Sequence, residues 1–140
     1  WLPNFRVPEI MSSFRVTVHI PRRSYTRELL GIPTIRVFEA LACGIPLVCA
    51  PWQDTEGLFE PGKDYLVAEN GQEMRDRLHA LLTQPDLRRS LAQHGLRTII
   101  NRHTCAHRVD RLLVICKELG VHVGDDSHSM HPLSEVAVNA

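Results

Sequence analysis

The stretch that most constrains the fold is Leu47-Val48-Cys49-Ala50, four apolar residues with no polar alternation. A strand of that kind suits a sheet covered on both faces, the setting of parallel α/β architecture. The residues before it fit the same plan. Pro33 breaks whatever precedes it, and Thr34 is a natural N-cap for a short buried helix running to about Cys43. Gly44 can take the left-handed conformation that closes the helix, and Pro46 forbids its continuation. Gly31 to Pro51 therefore reads as a helix, a glycine stop and a strand. Two charges, Arg36 and Glu39, stand on this otherwise apolar helix and need a reason.

The flanking chain supplies the other elements. Trp1 to Asn4 reads as the tail of a broken element, and Pro8 to Ser13 as a short helix with Pro8 at its start. Arg15 to Ile20 is a β-branched run, hence a strand, ended by Pro21. Leu58-Phe59-Glu60 reads as a single helical turn, and Tyr65 to Ala68 as a third strand. Asn70 caps a helix, with Glu73 in capping-box position and Met74, Leu78, Leu81 and Leu82 as one apolar stripe. Pro85 opens another, with Leu87, Leu91 and, across Gly95, Ile99 at turn spacing. A last helix starts near Thr104, buries Val109, Leu112, Leu113 and Cys116, and ends at Gly120. Residues 120–140 lack periodicity and read as a flexible tail.

Strands separated by helices imply a three-layer, Rossmann-like parallel sheet followed by C-terminal helices. Three strands are few for a nucleotide-binding domain, and the chain opens on Trp1, in what looks like the middle of a domain. The expectation is the second half of such a domain, residues 1–119, with upstream chemistry missing.

Composition bounds the function. The 140 residues carry 16 basic and 16 acidic side chains, so the zero formal charge gives no argument for nucleic acid or an anionic membrane. No apolar run approaches the roughly 20 residues of a membrane span, and the expectation is a chain without a signal peptide. Cys43, Cys49, Cys105 and Cys116 fall in apolar patterns without CxxC spacing, which favours reduced, buried cysteines in the cytoplasm.

Ligands of open parallel sheets sit outside the carboxyl ends of the strands. Two stretches meet that condition: Arg22 to Thr34, and the loop of Trp52, Gln53, Asp54 and Gly57. The N-terminus of the Thr34 helix would present N–H groups to a phosphate in the same crevice. Glu39 can accept two hydrogen bonds from a ribose diol, and Arg36 can pair with Glu39 or reach a diphosphate. The alternative is a structural ion pair between the two. Arg22, Arg23 and Arg27 form either a phosphate contact or a solvated loop. His103 and His107 are four apart, but no third ligand accompanies them, so no metal is expected. His19, the inner cysteines and the leucine stripes read as core.

Phe38-Glu39-Ala40-Leu41-Ala42-Cys43-Gly44-Ile45-Pro46-Leu47-Val48 resembles the signature of the nucleotide-binding lobe of GT-B glycosyltransferases of the group 1 type. The similarity is greatest to the branch related to the spore maturation protein CgeB. Pro33-Thr34-Ile35-Arg36, Phe59 to Tyr65, and His103-Thr104 with Arg108 carry it further, over roughly Asn4 to Leu119. The resemblance implies a C-terminal lobe binding a nucleoside-diphosphate sugar for transfer to an unknown acceptor, with no cofactor beyond that co-substrate. It implies that Glu39 holds the ribose, with Arg36, Thr34, Ile35 and Gly31 also at the donor. The same motif usually has a second glutamate eight residues earlier, where this chain has Gly31. Catalytic groups and the acceptor site are expected in an N-terminal lobe of the same protein, leaving these 140 residues inactive alone. A non-catalytic nucleotide-sugar or protein-binding module, and a nucleotide-sugar epimerase on the same scaffold, stand as alternatives.

Overall fold

A computed structural model describes residues 3–22, 27–29 and 31–121. Arg23 and the tail beyond Val121 lie outside the described residues, as do Trp1 and Leu2. A 3-10 turn at Asn4–Arg6 leads into α1 (Val7–Ser12), β1 (Thr17–His19), α2 (Ile35–Ala42), β2 (Leu47–Cys49) and β3 (Leu66–Val67). Three helices complete the chain: α3 (Gly71–Thr83), α4 (Pro85–Arg102) and α5 (Cys105–Glu118). The strands form one parallel sheet in the order β1-β2-β3, with Val18 opposite Val48 and Val48 opposite Leu66.

Both faces of β2 are covered, as its unbroken apolar run requires. Leu47 and Cys49 face Val37, Ala40 and Leu41 of α2, together with Phe59, Tyr65 and Ile99. Val48 faces the other way, into Ala68, Leu81 of α3 and Leu91 of α4. The sheet is thus the middle of three layers, and α4 feeds both cores through Leu91 and Ile99. No described helix is long and apolar enough to cross a membrane.

Local signals set most boundaries. Gly44 has φ +63° and closes α2, Gly120 has φ +71° just beyond α5, and Asn70 Oδ1 accepts the Gln72 and Glu73 N–H groups of α3 at 3.0 Å. The Glu73 carboxylate accepts from the Glu69 N–H, one residue earlier than a capping box would have it.

Several expectations are overturned. Leu58-Phe59-Glu60 is not a helical turn: Leu58 and Phe59 turn into the core as irregular chain, fixed by the Asp54 carboxylate accepting the Phe59 N–H at 2.9 Å. Leu82 leaves the α3 stripe and is 47% exposed. Helix α5 buries none of its residues; Val109, Leu112 and Leu113 face solvent, and Cys116 is only half-buried. The four cysteines are free, but only Cys49 is buried, and Cys105 is exposed. Burial pushes the Cys49 thiol up to about 12, so it stays an inert core thiol.

Candidate functional site

Helix α2 buries Val37, Ala40 and Leu41 at helical spacing, which turns Arg36 and Glu39 outward. The two charges are therefore not buried: their side chains are 61% and 35% exposed, and Arg36 Nη1 donates to Glu39 Oε2 at 2.9 Å. At that exposure an i,i+3 pair contributes only about 0.3–0.5 kcal/mol. Helix packing does not need it, which leaves both groups free for other work.

Two open clefts flank β1. One, of about 490 Å³, lies between Val7, Ile10 and Met11 on one side and Arg36 and Glu39 on the other, floored by Thr17 and Val18. The second, of about 420 Å³, reaches the carboxyl end of β1 and is lined by Val18, His19, Ile20, Arg22, Thr34 and Arg36. Arg36 and Val18 belong to both, so the clefts run together past the guanidinium. A small cavity behind them is enclosed by His19, Pro21, Ile32, Thr34, Val37 and Trp52.

Arg22, Thr34, Arg36 and Glu39 are thus brought to one side of the sheet, with Trp52 behind Thr34. The other candidates are placed differently. Ile35 is 67% exposed, and Gln53 is exposed beyond the strand ends. One Asp54 oxygen holds the Phe59 N–H, and its other oxygen is buried without a partner among the described residues. The Gly57 carbonyl accepts from Arg102 of α4 at 2.9 Å. Gly31 has φ +83°, and a Cβ there would overlap the Thr55 side chain.

Two site features escaped sequence reasoning. Thr34 occupies the N-cap position with extended backbone, but its side chain makes no cap bond. Its Oγ1 lies 2.7 Å from Nε2 of His19, which stands half-buried at the cleft and not in the core. Burial, then the Arg36 charge, holds the His19 imidazole below its usual value. The second feature is Asp64, almost fully buried within the Phe59–Tyr65 motif. Its carboxylate accepts from the Glu60 N–H, the Thr98 hydroxyl and His94 Nδ1, each at 2.7 Å.

The two histidines considered for metal are spent elsewhere. His103 Nε2 donates to the Leu58 carbonyl at 2.9 Å, Nδ1 accepts from Arg108 at 3.2 Å, and the ring packs on Phe38 and Phe59. His107 Nδ1 lies 2.6 Å from Thr104 Oγ1. Among the described residues no group of three His, Cys, Asp or Glu side chains is placed to hold a metal ion.

The His103 geometry has a pH consequence. Burial first, and then Arg108 and Arg102, hold this imidazole below its ordinary 6.5, outweighing the Leu58 hydrogen bond. Below pH 6.5 the unfolded chain takes up protons that the folded chain refuses, so stability falls as the pH drops. Thermal melts from pH 7.5 to 5 are expected to show this loss, shallower in His103→Gln. A flat wild-type profile would count against it.

Comparison with curated proteins gives no match. A family model described as Glycosyl transferase-like, in contrast, matches residues 1–114, which takes in the sheet, both flanking clefts and the first ten residues of α5. With a parallel α/β sheet and open clefts beside its first strand, the chain belongs to the glycosyl transferase-like family.

Proposed function

We propose that the chain is the donor-binding lobe of a GT-B glycosyltransferase of the group 1 type, in the CgeB-related branch. It holds the nucleoside diphosphate of an activated sugar for transfer to an acceptor. The observation that carries this reading is the placement of Arg36 and Glu39 together on the outer face of α2, where the two clefts beside β1 meet. In this reading Glu39 accepts the ribose hydroxyls from the 490 Å³ cleft. Arg36 turns toward the diphosphate in the neighbouring cleft, beside Arg22, Thr34 and the first N–H groups of α2 at Ile35. Trp52, which lines the small cavity together with Thr34, borders the sugar end. The Arg36–Glu39 bond is exchanged for bonds to the ligand, at little cost because the pair is solvent-exposed. The reading assigns no metal ligand to the chain, and it places the acceptor and the catalytic groups in an N-terminal lobe of the same protein.

Calorimetric titration of a panel of nucleoside diphosphates into the intact protein tests the assignment. Glu39→Ala is expected to weaken binding by about 1–3 kcal/mol, the size of a charged hydrogen bond. Unchanged affinity in a folded variant removes the ribose role.

Gly31 favours a second reading, a lobe that binds donor without turnover. The position that usually carries an acid near the donor sugar here has backbone and surroundings that exclude one. Transfer or hydrolysis of a sugar nucleotide by the intact protein would eliminate it.

A further inference from the structure

We propose that His19 is a positioning residue of the donor cleft, holding the Thr34 hydroxyl so that its single proton is presented to the diphosphate. This inference rests on the donor-site reading. Its starting point is a missing bond. A threonine at a helix N-cap ordinarily accepts from a first-turn N–H, and losing that cap is felt in helix stability. Thr34 has the extended backbone of a cap, φ −84° and ψ 150°, yet makes no such bond. Its hydroxyl is committed instead to His19 Nε2, fifteen residues away and 2.7 Å distant. That bond opens onto the cleft: both residues line it, beside Arg22 and Arg36.

The chemistry of the pair governs its response to a bound anion. A threonine hydroxyl has one proton and two lone pairs. When Thr34 donates that proton to a phosphate oxygen, it can only accept from His19, so Nε2 must carry hydrogen. With no such acceptor for the Thr34 proton, the bond can run in either direction. An anion therefore selects the Nε2–H state and adds negative charge beside the ring.

Among the described residues the charged groups around the imidazole are Arg36 on α2 and Arg22 beyond β1, both cations. The cavity behind it is walled by the uncharged Pro21, Ile32, Val37 and Trp52. Burial and Arg36 disfavour the imidazolium, and an entering diphosphate reverses the sign of the local field.

The test uses inorganic pyrophosphate as probe, and then the nucleoside diphosphate panel. Calorimetry compares the intact wild-type protein with His19→Leu, His19→Gln and Thr34→Val, each checked for folding by thermal melt. NMR tracks the His19 titration in the wild type. Glutamine can place an amide N–H where Nε2–H stands; leucine cannot. Expected are roughly tenfold weaker binding in His19→Leu and Thr34→Val, recovery in His19→Gln, and a His19 midpoint raised by about one pH unit at saturation. If the wild type binds but His19→Leu binds equally well and the midpoint stays put, the inference fails and the donor reading stands. A loss in His19→Leu that glutamine does not restore, with an unmoved midpoint, marks a structural role and also overturns it. If neither pyrophosphate nor any nucleoside diphosphate binds the wild type, the donor reading itself fails. The wild-type midpoint decides the matter even where a variant does not fold.

Discussion

Asp64→Ala is expected to destabilise the protein by about 3–5 kcal/mol, as measured by chemical denaturation, because it strips the acceptor from a buried network. The carboxylate ties the 60–65 loop to α4 through the Glu60 N–H, Thr98 and His94, and alanine leaves the loop amide and the Thr98 hydroxyl unpartnered. Asp64→Asn is expected to fall between the two, since its single amide oxygen can satisfy only part of this donor set while its NH2 faces the others. A loss below about 1 kcal/mol in Asp64→Ala would mean that water or rearrangement replaces the carboxylate.

Gly95→Val is expected to cost about 3 kcal/mol, from the same region but by steric means. Gly95 lies buried in the middle of α4, where helix propensity alone says that alanine would gain about 1 kcal/mol. Packing opposes this. A Cβ at Gly95 would stand 2.7 Å from Leu41 Cδ2 and 3.0 Å from the Asp64 carbonyl oxygen. Leu41 is itself core, and the carbonyl belongs to backbone, so neither yields freely. Gly95→Ala therefore balances near a 1 kcal/mol loss, and the valine branches remove any remaining room. An alanine variant that melts above wild type would show that Leu41 repacks without cost.

These two residues show where sequence reading stopped. The order of helices and strands was legible because Leu47 to Ala50, the Met74/Leu78/Leu81 and Leu87/Leu91/Ile99 spacings and the Asn70 and Thr104 caps each carry a local signal. What failed depended on partners distant in sequence. Thr34 is a residue type that caps helices, but His19 captures its hydroxyl from β1. Leu58 and Phe59 read as a helical turn because nothing local reveals that Asp54 and His103 hold them as irregular chain. The periodicity of α5 correctly gives a helix with an apolar face, but periodicity does not say what covers that face; among the described residues nothing buries it. For the site, the type and spacing of Arg36 and Glu39 were readable. Their solvent exposure was not, since it depends on which side of α2 meets β2. Asp64 stood inside a noted motif without a role, because its partners lie thirty and thirty-four residues away on α4.

Gly31 carries a consequence for how this lobe can change over generations. Its left-handed backbone and its contact with Thr55 are two separate barriers to any side chain. A single substitution to glutamate meets both. Trimming Thr55 first relieves the crowding and leaves the backbone strain of about 1–3 kcal/mol in place. An acid at this position is therefore not one mutation away: the loop would have to rebuild its turn before the carboxylate could stand there. The glycine thus sets the shape of this turn, and a carboxylate side chain joins it only after both the backbone and Thr55 have moved.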